Sequence, residues 1–272
     1  MTTRDWTRPS DKLLVEYAVQ GGVALLTLTE PPANTYSYAM MRQLDDAVLR
    51  ARFDEAVHVI VITGAGTKFF CAGANIQMLQ EVTPTFKYAF CQHANETLQR
   101  LEQTSKLVIA AINGHCVGGG LEIALAADLR FAAKGDYKVG LPEVLLGVLP
   151  GTGGTQRLAR LLGKAKAIEL MIEGRTFGAA EAQALGLVSK LATGDGPFID
   201  EVLAYAGQFV PPKRASRAVG HIKRAVISGL EMGFTEGLAL ERELQQRLFT
   251  SDDAAEGIRA YNEKRAPVFK GQ

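Results

Sequence analysis

Residues Leu107–Ala127 read LVIAAINGHCVGGGLEIALAA, and the fold turns on this stretch. Leu107–Ile112 is an unbroken apolar run, the pattern of a strand buried on both faces in a sheet covered by helices. Asn113-Gly114 stops it. Gly118-Gly119-Gly120 then precedes Leu121–Ala127, an apolar run of good helix formers. Glycines at a helix start admit a second backbone or a ligand at close range, and the N–H groups of the first turn have no acceptor inside the helix. Together with the helix dipole, such donors suit an anion or an oxygen gaining negative charge. Glu122 lies just inside this helix. Taken alone, the run is equally a tight turn followed by a carboxylate that the dipole favours.

Upstream, Val57–Thr63 (VHVIVIT) repeats the buried-strand pattern and ends at Gly64. Leu13–Val19 and Val23–Thr29, separated by Gln20-Gly21-Gly22, read as a hairpin. Met40–Phe53 has helical spacing, with Met40, Leu44, Val48 and Ala51 on one side, and Phe86–Glu102 reads as a helix with polar positions. Downstream, Leu129–Ala132 is a third β-like patch, after which the chain reads as helical to its end. The helices expected there are Thr155–Leu162, Lys164–Glu173, Ala179–Leu185, Ile199–Phe209, Ser216–Ser228, Phe234–Phe249 and Ala254–Lys264. Pro211-Pro212 interrupts them. The expected architecture is an α/β core over residues 1–195 followed by a helical region over 196–272, with no fixed-period repeat.

The 272 residues are 47% hydrophobic and 22% charged, ordinary for a globular protein, and the formal net charge is +1. That balance offers no electrostatic case for nucleic acid or an anionic membrane as a partner. Cys71, Cys91 and Cys116 form an odd, sparse set without a CxxC pair, which argues against a disulfide framework and a zinc site. Met1 to Lys12 is polar, so no secretory signal is read, and no stretch reaches the ~18 apolar residues of a membrane span. A cytoplasmic compartment is the expectation.

Two further stretches follow or end β-like segments, where loops of an α/β fold gather into a site. Cys71-Ala72-Gly73-Ala74-Asn75 offers small residues and free amides, and alone is a loop. Cys71 has no neighbouring histidine and reads as buried and inert. Glu143 follows Leu141-Pro142 and precedes Val144-Leu145-Leu146; it is either a surface carboxylate or a partly buried one with a raised pKa. Gly151-Thr152-Gly153-Gly154 fits neither GxxxxGK[ST] nor GxGxxG, and reads as tight loop packing. His58, His93, His115 and His221 lack metal-ligand spacing, so no metal is expected. No GxSxG surrounds any serine. Tyr36 and Tyr38 either edge a pocket or simply pack, and residues 81–92 are read as a pocket wall.

Together these blocks resemble the enoyl-CoA hydratase/isomerase (crotonase) family over nearly the whole chain. The resemblance runs through PPANTYS (31–37), VIVITGAGTKFFCAGANI (59–76), AAINGHCVGGGLEIALAADLRFA (110–132), GLPEVLLGVLPGTGGTQRLARLLG (140–163) and DDAAEGIRAYNEKRAPVF (252–269). It implies a crotonase-like ββα spiral core with a C-terminal helical trimerisation region, assembled as a trimer or a dimer of trimers. It implies that the amides of Ala74 and Gly119 form an oxyanion hole around a thioester carbonyl. It also implies that Glu122 and Glu143 hold one water, with Glu143 the main general acid/base and Glu122 positioning the water and sharing proton duty. Coenzyme A, as part of an acyl-CoA substrate and not a prosthetic group, is expected along Ala72–Ile76 (Ala72, Ala74, Asn75, Ile76). Its adenine is expected near Pro32-Ala33, with Lys68 approaching a phosphate and Lys270 helping across a subunit boundary. Many relatives carry AGAD followed by Ile-Lys; here Asn75, Ile76 and Gln77 stand instead, which removes one expected phosphate contact.

The implied activity is hydration of a trans-2-enoyl-CoA to a 3-hydroxyacyl-CoA. Within the same fold the alternatives are a double-bond isomerase, or a hydratase for a branched or carboxylated enoyl-CoA. A non-catalytic binding protein is a further alternative, which the presence of both glutamates disfavours. A dinucleotide-dependent reductase is disfavoured by the lack of a fitting GxGxxG.

Overall fold

The computed structural model describes residues 5–272. The polar start read above therefore lies partly outside the described residues. Two strands, β1 (Val15–Gln20) and β2 (Val23–Leu28), form an antiparallel hairpin. Gly21 and Gly22, at φ 55° and 80°, make the two-residue turn, a conformation that matches the twist of the strands and that side chains disfavour. Helix α1 (Tyr38–Phe53) starts where the Ser37 side chain accepts the Met40 N–H.

The chain then repeats one theme three times: a long strand, a short strand, then helix. The first turn is β3 (Val59–Gly64), β4 (Phe69–Cys71), α2 (Ile76–Glu81) and α3 (Pro84–Glu102). The second is β5 (Leu107–Ile112), β6 (His115–Val117) and α4 (Gly119–Leu125). The third is β7 (Leu129–Ala132), β8 (Val139–Gly140), a 3-10 turn at Glu143–Leu146 and α5 (Gly154–Leu162). Long strands join one sheet in the order β1-β2-β3-β5-β7, parallel from β2 onward, and short strands begin a second, β4-β6-β8. After α6 (Lys164–Ile172), β9 (Thr176–Phe177) pairs with β8, and after α7 (Ala179–Ala184), β10 (Lys190–Leu191) pairs with β7. Helices α8 (Phe198–Ala206), α9 (Ser216–Gly229), α10 (Phe234–Phe249) and α11 (Asp252–Asn262) complete the chain.

The continuous apolar runs have a simple cause: alternate residues of the same strands face two different cores. Ile60, Ile62, Val108, Ala110 and Ile112 pack with α1, α3 and the second sheet. Val59, Val61, Leu107, Ile109 and Ala111 pack with Phe131 and with Val202 and Ala206 of α8. So α8, beyond residue 195, covers the outer face of the main sheet. Behind it, the Lys223 ammonium meets Asp128 at 2.9 Å with side chains only 4% and 15% exposed.

The expectation that the chain is helical after Leu129–Ala132 is corrected by β8, β9 and β10. Each holds two residues, too few to show any period, and each exists because it pairs with a strand distant in sequence. The short strands β4 and β6 and the one-and-a-half-turn helix α2 escape sequence reading for the same reason.

Candidate active site

The second sheet carries the site because its strands end together. Strand β4 leads into residues 72–75, β6 into the triple glycine, and β8 into Pro142-Glu143. Tyr36 forms a parallel bridge with Ala74: its N–H donates to the Gly73 carbonyl at 2.9 Å and its carbonyl accepts from Asn75 at 2.9 Å. In a parallel bridge the residue opposite turns its own N–H the other way. The Ala74 N–H therefore points away from Tyr36, and among the described residues neither it nor the Gly119 N–H has a backbone acceptor. The two loops are in close contact, since a Cβ on Gly73 would lie 3.2 Å from the Gly119 nitrogen. Gly119 itself has no room for a side chain: a Cβ there would be 2.2 Å from the Tyr36 ring.

Glu122, one turn into α4, is 1% exposed. Its Oε1 accepts the N–H of Thr152 at 2.7 Å and of Gly154 at 2.8 Å. Gly154 opens α5, so the carboxylate satisfies a helix-start donor and sits at the positive end of that helix. Burial raises the Glu122 pKa, and the hydrogen bonds from Gly154 and Thr152 oppose the rise without cancelling it. The glycine-rich loop read as tight packing is thus organised around Glu122. It is held further by Tyr36, whose hydroxyl lies 2.8 Å from Thr152 Oγ1, by Asn95 donating to Gly151 O, and by Arg157 donating to Thr152 O. Arg157 is in turn clamped by Glu102 through two hydrogen bonds of 2.8 and 2.6 Å.

Glu143 starts the 3-10 turn and is half-buried. Of its two readings the second holds: its carboxyl is pushed up from 4.5 to about 7, first by burial and then by the charge of Glu122. Its Oε2 is buried with no hydrogen-bond partner. A Cβ on Gly118 would lie 3.2 Å from its Oε1, so this carboxyl stands beside the start of α4. Ala74, Gly119, Glu122 and Glu143 are brought together from three separate loops.

Of the remaining expected residues, Ala33, Ala72, Asn75 and Ile76 adjoin this cluster, whereas Lys270 packs near Asp253 and is not brought to it within this chain. The Ala72 N–H donates to the Ala33 carbonyl at 3.0 Å, joining the two segments. Asn75 caps α2 by accepting the Met78 N–H at 2.9 Å, so an amide does the capping here. Ile76 is 52% exposed. Lys68 is exposed, its ammonium 5.5 Å from the centre of the Phe69 ring. Lys270 lies exposed on the C-terminal tail, where its N–H donates to Asp253. Cys71 is fully buried with its thiol pushed up to about 12 by burial, as an inert cysteine should be.

Sequence reading missed the supports, Thr152, Asn95, Arg157 and Glu102, because each acts through a contact more than a helix away. Residues 81–92, expected as a pocket wall, hold the end of α2 and the first half of α3, where Phe86 and Phe90 stack with centroids 6.4 Å apart and Phe90 lies 5.7 Å from Tyr36.

A family model described as "Enoyl-CoA hydratase/isomerase" matches residues 18–272. A probable enoyl-CoA hydratase of Bacillus subtilis (strain 168) is 37% identical over 95% of this chain and 99% of its own length. One of Mycobacterium leprae (strain TN) is 40% identical over 91% and 94%. A Geobacillus kaustophilus HTA426 structure, described as "Enoyl-CoA hydrates", superposes with a TM-score of 0.92 at 40% identity, covering 97% of this chain and 98% of that one.

Proposed function

The chain belongs to the enoyl-CoA hydratase/isomerase family, with the crotonase fold, and on that premise we propose that it hydrates a trans-2-enoyl-CoA reversibly to a 3-hydroxyacyl-CoA. The observation that carries this reading is the pairing of Glu143, held near neutrality with an unpartnered oxygen, with two backbone donors that lack acceptors. A group with a pKa near the working pH is suited to exchange protons in both directions.

The thioester oxygen accepts the N–H groups of Ala74 and Gly119. Glu122 and Glu143 hold one water over Cβ. Glu143 takes a proton from that water as its oxygen bonds to Cβ, and the electron pair of the double bond moves through Cα onto the thioester oxygen. The two amides stabilise the resulting enolate; removing one such donor costs about 100–1000-fold in rate. The proton held by Glu143 is then delivered to Cα of the enolate, which restores the carboxylate, so that the elements of water have been added across the double bond and atoms and charge balance. Glu122, anchored by two amides, positions the water. Coenzyme A runs along residues 72–76 with its adenine near Pro32-Ala33 and a phosphate toward Lys68. The assembly is a trimer or a dimer of trimers, in which Lys270 reaches a neighbouring coenzyme A. Among the described residues no helix is long and apolar enough to cross a membrane, and a cytoplasmic setting accords with that.

Crotonyl-CoA tests the reading: the absorbance of the conjugated thioester should fall on adding enzyme, and Glu143→Gln should slow the fall by about 100–10,000-fold. The family description also names isomerases. Activity on a 3-enoyl-CoA with no loss of crotonyl-CoA signal establishes that reading instead. Activity and binding untouched by both Glu122→Gln and Glu143→Gln would mean a binding protein.

A further inference from the structure

Three buried polar side chains lie in line behind the candidate site: Tyr36, Thr152 and Glu122, exposed by 2%, 1% and 1%. The Tyr36 hydroxyl is 2.8 Å from Thr152 Oγ1. The Thr152 hydroxyl also donates to the Glu122 carboxylate, beside the 2.7 Å bond from the Thr152 N–H. An ionised carboxylate can only accept, and threonine has a single hydroxyl proton. That proton goes to Glu122, so the hydrogen between the two hydroxyls comes from Tyr36. Burial, and after it the charge of Glu122, hold the Tyr36 phenol well above its ordinary titration range, so it keeps this proton. The chain of hydrogen bonds runs one way, from Tyr36 to Thr152 to Glu122.

Tyr36 also reaches the other half of the site. Its main chain bridges Ala74, and its ring fills the space that a side chain on Gly119 would need, 2.2 Å from the Cβ such a residue would carry. Phe90 backs the ring at 5.7 Å. One residue thus adjoins the segments of both candidate oxyanion donors and, through Thr152, governs the carboxylate. Buried hydroxyls are costly unless each finds its partner, and a chain of them strengthens the bond at its end. Removing the far hydroxyl is therefore felt at Glu122, one bond further on.

We propose that the hydroxyls of Tyr36 and Thr152 are positioning groups, which together keep Glu122 a charged acceptor of fixed direction for the water that adds to Cβ. This rests on the hydration reading above. With either hydroxyl removed, Glu122 takes a proton more readily. The form with both carboxylates ionised, which hydration needs, is then reached only at higher pH.

The test uses Tyr36→Phe and Thr152→Val, which keep the shape and remove a hydroxyl, with crotonyl-CoA as substrate. Thr152→Val should lower kcat by about tenfold to a hundredfold, the range for a hydrogen bond to a charged group. Tyr36→Phe should lower it by about twofold to tenfold, the range for a neutral one. KM should change little, and the acid limb of kcat/KM should move to higher pH in both. Thr152→Ser should keep most of the rate and the original pH profile. In the Thr152→Val background, Tyr36→Phe should cause no further loss, because its hydroxyl has no partner left. Unchanged rates, a fall in kcat with the acid limb unmoved, or losses that multiply in the double variant overturn the proposal while leaving hydration intact. If the unaltered enzyme leaves crotonyl-CoA untouched, the hydration reading fails by itself. An infrared titration of the Glu122 carboxyl, assigned by its loss in Glu122→Gln, then decides the relay. Protonation at higher pH in Thr152→Val and Tyr36→Phe upholds it, and an unmoved titration refutes it.

Discussion

Replacing Glu143 with glutamine should stabilise the folded protein in mild alkali and do little in mild acid. The carboxyl ordinarily titrates at 4.5 and is held at about 7 in the fold. Below 4.5 both folded and unfolded chains carry the proton, and no penalty exists. Between 4.5 and about 7 the unfolded chain releases the proton while the folded one keeps it, so stability falls as pH rises through that window. Above it both are ionised and the full penalty stands. A rise of this size amounts to about 3 kcal/mol for holding the charge in the folded state. The side chain keeps part of its solvent contact, which reduces the effective figure to ~1–2 kcal/mol. Glutamine has nearly the same shape and no charge to bury. Thermal midpoints of the two proteins, at equal concentration, should therefore differ by roughly 2–6 °C in favour of the variant at about pH 8.5 and by little at about pH 5. Equal gains at both pH values, or a loss at the higher one, would show that Glu143 is not kept at the expense of stability.

Other outcomes follow from the same geometry. Under the hydration reading, kcat/KM for crotonyl-CoA should decline as pH falls below about 7, because a protonated Glu143 cannot accept a proton; a flat profile to about pH 5 would contradict this. Gly119→Ala places a methyl group 2.2 Å from the Tyr36 ring and should lower the urea midpoint by the equivalent of about 1–3 kcal/mol. Lys223→Met strands Asp128 as a buried charge and should cost about 3–5 kcal/mol in urea denaturation, with part of the loss recovered by adding Asp128→Asn. Toward a thiol reagent the native chain should react only at Cys91, since Cys71 and Cys116 are fully buried; labelling of either without unfolding would contradict their placement.

Much of this was legible in the chain, for physical reasons that differ from part to part. The strands β3 and β5 announce themselves because both faces are covered, so nearly every position is apolar, Thr63 excepted. The spacing of α10 persists over four turns, and the bounds it predicts, Phe234–Phe249, are those of the helix. The strands of the second sheet stayed hidden: Val139–Gly140 and Thr176–Phe177 have no periodicity, and their pairing is set by distant partners. At the site, the triple glycine and Glu122 mark themselves by their place at a helix start. Glu143 remained ambiguous from local context, because its pKa depends on Glu122 and on burial that only the fold creates.

The two acids differ in how deeply they are woven into the framework. Two main-chain hydrogens hang from one oxygen of Glu122, and with them the entrance to α5. Nothing in the scaffold leans on the second oxygen of Glu143. Position 143 is therefore one that can change while the architecture stands, whereas any exchange at position 122 must first find another anchor for the loop above it.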